Sequence, residues 1–270
     1  MKVLIGADPE LFLKKDGQFF SAHKMIPGTK TKPHPVEKGA IQVDGLALEF
    51  NIEPAETAEQ FDVNIDTVLK HLRSMVPEDY QFDFSATATF TKKHMEEQLP
   101  EALVLGCEPW WSAYTQLTAP VPPPAFGNLN RYAGGHVHIG WGEGFDVESQ
   151  IHIKSCARLA KQLDYYIGLP SVILDNDRDR RKNYGAPGTF RPKPYGMEYR
   201  SLSNFWVDKP EVRKFIFNQT QKAVADLIAG KEIINKTSII SAASCMIYSE
   251  VGHAKKFIAR HPEIYAGMPS

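Results

Sequence analysis

Two histidines one residue apart, His136 and His138, stand in the run RYAGGHVHIG, where they alternate with β-branched Val137 and Ile139 behind a Gly-Gly pair. Side chains alternate across a strand, so both imidazoles point one way and the apolar pair the other. The same device recurs three times. In ADPELFL, Asp8 and Glu10 share a face opposite Leu11 and Leu13. In IQVDGLALEFNI the Asp44-Gly45 pair is expected to form a tight hairpin turn, after which Leu46, Leu48 and Phe50 alternate with Glu49 and Asn51. In GMEYRSL, Glu198 and Arg200 lie opposite Met197 and Tyr199. If these faces converge, they line a cleft of carboxylates, imidazoles and a guanidinium, a set suited to divalent cations and an anionic substrate.

Each strand alone has a blander explanation, because any sheet with one solvated side shows such alternation. The glycines shift the balance. Gly134, Gly135, Gly140, Gly142 and Gly144 crowd the histidines, and Gly185, Gly188 and Gly196 crowd Glu198. Glycine in or beside a strand costs stability, so here it is expected to mark bulges or the close approach of a ligand.

The elements that must position these residues read as α+β. A strand-rich start reaches to about residue 52, interrupted by MIPGTKTKPHPVEKG (25–39), which is too rich in Pro, Gly and Lys for regular structure. A helix is expected over 57–76, with Thr57 and Gln60 as a capping box, Phe61, Ile65, Val68, Leu72 and Met75 inward, and Pro77 as its stop. Residues 81–90 alternate as a strand, a short helix follows over 91–100, and 109–124 reads as an irregular aromatic and proline-rich loop. A second helix over 146–167 is expected to turn Ile151, Cys156, Leu159, Leu163 and Ile167 inward and to end at Gly168. A third over 210–229 has Asp208 as its cap, Pro210 at the first helical position and Gly230 past its end. The tail from Glu232 reads as helical, with a second piece around 251–260. Without a repeat or a clean linker, one domain over 1–270 is expected.

Composition narrows the classes. With 270 residues and 43% hydrophobic content the chain can build a substantial core, and a net charge of -1 gives no case for generic nucleic-acid binding. Three scattered cysteines, Cys107, Cys156 and Cys245, lack metal-type spacing and fit a reducing compartment, the cytoplasm. No signal segment or membrane span is visible.

The densest stretch is DNDRDRRKNYGAPGTFRPKPYGMEYRSLSNFW (175–206), where Arg178, Arg180, Arg181, Lys182, Arg191 and Lys193 run into the Glu198 strand. Such a run is usually a solvated loop. Beside carboxylates and histidines, several arginines are also what phosphate binding with bridging metal requires.

Taken in series, GADPELFL, VDGLALEFNIEPA, RYAGGHVHIG and RRKNYGAPGTFRPKPYGMEYRSLSNFW resemble the carboxylate-amine ligases of the glutamine synthetase and glutamate-cysteine ligase superfamily. They are most similar to the phage phiEco32-like COOH-NH2 ligase type 2 proteins, over roughly residues 3 to 210. The resemblance implies a curved antiparallel β-sheet with helices packed on its convex face, and a concave face that binds ATP with Mg2+ or Mn2+. It implies an enzyme that phosphorylates a carboxylate, from which an amine displaces phosphate to leave an amide or peptide-like bond. Its partners would be small-molecule or peptide carboxylates and amines, with no membrane, in the host cytoplasm if phage-encoded; a homo-oligomer stays open.

Carried over residue by residue, the resemblance makes Glu10, Glu49, His136 and Glu198 metal ligands, with Asp8 as a further ligand. Arg191 and Arg200 would hold phosphate and the acyl-phosphate, and Arg181 and Lys193 join them as nucleotide-binding cations. His138 is the less certain histidine of the pair. Asn51 departs from the pattern, standing where many relatives carry a third carboxylate, and Trp110-Trp111 is expected to pack in the core. Loops 25–39 and 107–126 would choose the substrates.

Two other classes remain. A zinc hydrolase would need further strand-borne histidines, whereas His23, His34, His71, His94, His152, His253 and His261 fall mostly in loops or expected helices. A non-catalytic descendant that only binds a nucleotide or ligand would need none of the reactive set.

Overall fold

The computed structural model describes residues 2–103, 110–119, 128–175, 177–233 and 242–269. In chain order these form β1 (Leu4–Ala7), β2 (Glu10–Lys15), β3 (Gln18–Phe20), β4 (His34–Val36), β5 (Gly39–Asp44), β6 (Ala47–Ile52), α1 (Ala58–Met75), β7 (Gln81–Asp83), β8 (Thr87–Thr89), α2 (Lys92–Glu96), α3 (Pro100–Leu103), β9 (Trp110–Ser112), β10 (Thr118–Ala119), β11 (Asn130–Tyr132) and β12 (Val137–Gly140). There follow α4 (Gln150–Leu163), a π-helical turn (Asp164–Gly168), α5 (Leu169–Leu174), α6 (Arg178–Asn183), β13 (Thr189–Lys193), β14 (Gly196–Tyr199), a 3-10 turn (Asn204–Trp206), α7 (Pro210–Ile228), α8 (Ala242–Tyr248) and α9 (Val251–Arg260). The class is mixed α and β with antiparallel sheets, as the sequence suggests.

One six-stranded sheet runs β1-β12-β14-β13-β9-β10, a second runs β3-β2-β6-β5-β4 with β7 also on β2, and β11 pairs with β8. The motif ADPELFL is therefore not one strand. It passes from the first sheet to the second at Asp8-Pro9, where proline has no N–H to give the ladder. Hydrogen bonds close the seam: Asp8 N–H to His136 O at 3.4 Å, Glu10 N–H to Gly134 O at 2.9 Å and Phe50 N–H to Pro9 O at 3.2 Å. Side-chain parity survives the crossing, since Ile5, Ala7, Leu11 and Leu13 all enter the main core while Asp8 and Glu10 face away from it.

The other motif strands keep the same sidedness. Leu48, Phe50, Val137, Ile139, Met197 and Tyr199 join that core, packed with Phe61, Ile65, Val68 and Leu72 of α1 and with residues of α4 and α7. Each such side chain contributes about 1.5–3 kcal/mol by leaving water. Helices α1, α4 and α7 thus cover the apolar face. Trp206, fully buried and stacked 5.7 Å from Phe61, donates from its indole N–H to Gly135 O at 3.1 Å and ties this layer to the histidine segment.

Several expectations change. The hairpin turn is Gly45-Leu46, because Asp44 pairs with Ala47 and so ends β5 as a strand residue. Segment 25–39 contains β4, an edge strand where exposed Pro35 is tolerated. Segment 81–90 splits into β7 and β8, and the supposed loop from 109 contains β9 and β10. The second helix does not end at Gly168: the π turn re-phases it and α5 continues it, and Ile151 is 80% exposed while Ile153 takes the inward place. Asp208 does not cap α7; Lys209 occupies that position without a side-chain bond. Thr57 does cap α1, accepting from Gln60 N–H at 3.2 Å. Cys156 and Cys245 are buried thiols, whereas Cys107, the start of the tail helix and part of 107–126 lie outside the described residues. Among the described residues no helix is long and apolar enough to cross a membrane.

Candidate active site

Register builds the centre of the site. On the polar face of the first sheet, His138 of β12 lies opposite Glu198 of β14, which lies opposite Arg191 of β13. Glu198 is fully buried, and cations surround it: Arg191 Nη1 at 3.2 Å and Lys193 Nζ at 3.0 Å from Oε2, with Arg200 donating to Oε1. A buried carboxylate survives only with such compensation.

The two imidazoles sit beside it in different settings. His136, only 2% exposed, has Nδ1 3.3 Å from Asp8 Oδ1 and 3.4 Å from Glu198 Oε1. Burial, and then the nearby Arg200, push its pKa down to about 3, so the ring is neutral. His138 has Nε2 3.1 Å from Asp8 Oδ2 and Nδ1 2.5 Å from the Tyr195 hydroxyl. Burial would raise Asp8, yet the imidazoles of His138 and His136 outweigh it and hold the carboxyl well below the usual range.

Glu10 and Glu49 face the same side from the second sheet, paired with each other across β2 and β6. Burial, then the charge of Asp44, pushes Glu10 up to about 7, against a hydrogen bond from Gly134 N–H to Oε2 at 2.9 Å. Glu49 is raised well above the ordinary value by burial, then by Asp8, Asp44 and Glu10, although Gln42 Nε2 donates to its Oε2 at 2.6 Å.

Of the residues singled out in the sequence, Asp8, His136, His138, Glu198, Arg191, Lys193 and Arg200 thus converge, with Glu10 and Glu49 adjoining. Arg181 does not join them. Its guanidinium is bonded to the carbonyls of Ser171, Asp175 and Asp177 and ion-paired to Asp175, so it pins α6 to the end of α5 instead of reaching a ligand. Arg180 is likewise consumed by the carbonyls of Ala133, Ser201 and Leu202.

Two of the glycines admit close approach of the protein's own groups. A Cβ at Gly134 would lie 2.5 Å from His136 Nε2, and one at Gly185, where φ is +77°, would lie 2.2 Å from Arg180 Nη1.

Sequence reading missed two tyrosines. Tyr184 accepts from Arg200 Nη2 at 2.6 Å and stands 3.2 Å from His136 Nε2; Tyr195 meets His138 from the β13–β14 turn. Neither lies in an alternating run, so only the register of the folded sheet exposes them. Trp111 packs on the core as expected, while Trp110 makes a T-shaped contact with Tyr184 at 6.0 Å, beside the site.

The donors suit a metal. Asp8 Oδ1 and His138 Nε2 are buried and aligned for no hydrogen bond. Among the described residues, Asp8, His138 and Glu198 form the one group whose ligand atoms all lie within 4.8 Å of one another. The remaining histidines are elsewhere: His94 accepts from Ser21 N–H, His152 meets Lys193 O, and His23, His71, His253 and His261 pair with surface glutamates. A several-histidine zinc centre is not assembled among the described residues.

A family model described as Phage phiEco32-like COOH.NH2 ligase-type 2 matches residues 127–248. No curated protein matches the chain. Similar solved structures include a bifunctional glutathione synthetase from Pasteurella multocida, at 11% identity and a TM-score of 0.45, covering 99% of this chain and 48% of that one. Another is a novel glutamine synthase homolog, at 11% identity and a TM-score of 0.42, covering 98% of this chain and 64% of that one. The chain therefore spans about half to under two thirds of these neighbours, and so distant a likeness says nothing of chemistry. The matched residues 127–248 are similar to the phage phiEco32-like COOH.NH2 ligase type 2 family and hold both histidines, Arg191, Lys193, Glu198 and Arg200.

Proposed function

We propose that this chain is an ATP-dependent carboxylate-amine ligase acting through an acyl-phosphate. The observation that carries the reading is the convergence of Asp8, His136, His138 and Glu198 with Arg191, Lys193 and Arg200 on one sheet face. The family match over 127–248 supports it. We take this polar face as the concave side of a curved sheet, with the helices on the convex side, and 1–270 as one catalytic domain.

The donor set fits Mg2+ or Mn2+: Asp8, Glu10, Glu49 and Glu198 offer carboxylate oxygens and His136 a neutral imidazole. When bound, ATP and these cations supply the phosphoryl group and offset the charge that develops as it moves. The chain's own residues do the rest. Arg191 and Lys193 hold phosphate oxygens, and Arg200 stabilises the acyl-phosphate. Tyr184 fixes the guanidinium of Arg200 by accepting from Nη2, and Asp8, held ionised, lies 3.3 Å from His136 Nδ1 and 3.1 Å from His138 Nε2. The carboxylate attacks the terminal phosphorus and ADP leaves; the amine then attacks the acyl carbon, phosphate leaves, and the amine surrenders a proton. No serine or cysteine nucleophile is required.

Thermal unfolding with Mg2+ and ATP tests the binding half of this reading. The expected result is a rise in Tm with ATP that needs Mg2+ and vanishes in Arg191→Ala and Arg200→Ala. A wild-type Tm unmoved by ATP with Mg2+ would contradict it.

A further inference from the structure

The turn between β13 and β14 carries two side chains of the site, and its sequence is short of the means to hold itself. In RPKPYG (191–196), Lys193 pairs with Gly196 and leaves Pro194-Tyr195 as the turn. Pro192 and Pro194 have no N–H to give, so backbone donors are missing from this end of the hairpin. Yet it must present Lys193 Nζ to Glu198 Oε2 at 3.0 Å and the Tyr195 hydroxyl to His138 Nδ1 at 2.5 Å.

The hold comes from outside, and from one segment, 141–156. Lys193 O accepts from His152 Nε2 at 3.1 Å, Pro194 O from Phe145 N–H at 2.9 Å, Tyr195 O from Trp141 N–H at 3.0 Å and Gly196 O from the Cys156 thiol at 3.6 Å. Four consecutive carbonyls are thus taken. Trp141 and Phe145 use backbone donors of the loop after β12, whereas His152 and Cys156 use side chains at i and i+4 of α4, which share a helix face. The two also meet each other, with Sγ 3.7 Å from Nε2.

His152 is the informative member. A carbonyl only accepts, so the ring carries a proton on Nε2. It is only 6% exposed and stacks on Phe145 at 4.7 Å between centroids. A polar ring buried among aromatic ones costs free energy unless it is bonded. Packing alone asks for an apolar ring at that place; histidine adds an N–H aimed at Lys193 O.

We propose that His152 is a positioning residue for the reaction on this face, with Cys156 as its lesser partner. From the helix layer they hold the backbone of the β13–β14 turn, so that Lys193 and Tyr195 keep their places at Glu198 and His138. Neither touches the reacting groups. The inference rests on the ligase reading for what Lys193 binds, a nucleotide phosphate.

Whole-chain variants test it through two measurements: affinity for ATP with Mg2+, and the imidazole 15N spectrum, in which the His138 Nδ1 signal reports its bond to Tyr195. His152→Phe keeps a stacked ring and removes the donor. It is expected to weaken ATP binding roughly tenfold, as loss of one charge-assisted contact does, and to move the His138 signal. His152→Gln, which restores a side-chain N–H, should return both toward the wild type. Cys156→Ala, a smaller change that decides the matter if His152→Phe does not fold, should move both the same way by less. If His152→Phe and Cys156→Ala match the wild type in both measurements, or if His152→Gln does no better than His152→Phe, the positioning role is overturned and the ligase reading stands. If the wild type binds no ATP with Mg2+, the ligase reading falls, and the His138 signal in the variants still decides whether His152 sets the turn.

Discussion

At the scale of single residues, the site is a balance of charges around Glu198, and the side chains that set it divide into those that pair with its carboxylate and those that hold them. Tyr184 belongs to the second group, since its hydroxyl joins Arg200 and His136 across the loop before β13. Tyr184→Phe should therefore lower the turnover number on the order of tenfold with little change in the Michaelis constant for ATP, because orientation rather than contact is lost. Steady-state kinetics check this. Arg181 makes the opposite case. Removing it takes the only cation paired among the described residues from buried Asp175, which keeps the Ser203 hydroxyl and Asp177 N–H, and a donor from three carbonyls, so Arg181→Ala should cost about 3 kcal/mol of stability in denaturant unfolding. The ATP-dependent rise in Tm should survive, and its loss would return Arg181 to the binding site. The polar members of the site were legible because alternation alone fixes the face of His136, Glu49 or Glu198. The tyrosines were not, since turns carry no period.

At the scale of elements, a few junctions determine where those faces meet. The crossing at Pro9 splits one apparent strand between two sheets, yet keeps Asp8 and Glu10 on one side. Sequence pattern gave the faces without the seam, because period is local and sheet membership is not. The position of the hairpin turn was misread by one residue for a similar reason: Asp-Gly is a strong turn signal, but pairing of Asp44 with Ala47 settles the register. At Gly134, a Cβ would collide with the His136 ring. Gly134→Ala should displace the imidazole and weaken Mn2+ binding by roughly tenfold or more, measurable by titration.

Asp164, at the start of the π turn, accepts from Tyr114 OH at 2.8 Å, Tyr199 OH at 2.6 Å and Gly188 N–H at 2.9 Å. Burial still raises its pKa from 3.8 to about 6. A carboxyl raised on folding stabilises fully below its unfolded value, and that contribution disappears as pH rises through about 6. Stability should thus fall between about pH 4 and 6 by on the order of 3 kcal/mol from this group. Asp164→Asn, followed by thermal unfolding against pH, should flatten that part of the curve.

At the scale of the whole molecule, the antiparallel sheet presents an apolar face to α1, α4 and α7 and a polar face on the opposite side. This division was readable from four short motifs because each carries both halves of it. Core and site are two sides of the same strands, which is why Val137 and His138 or Met197 and Glu198 stand next to each other in sequence. Helix phase was less readable: the π turn shifts it, and Ile151 ends exposed although its spacing fits an inward face. The short strands β9 and β10 were hidden by the turn-rich composition around them.

On the proposed reading, this polar face joins a carboxylate to an amine at the expense of ATP. The most direct test is Mg2+-dependent ADP release with pooled amino acids and amines, with product masses recorded, beside Glu198→Gln. The expected outcome is ADP release that requires the amine, a product one water lighter than its two parts, and loss of both in the variant. ADP release that yields no condensed product, or that persists unchanged in Glu198→Gln, would contradict it.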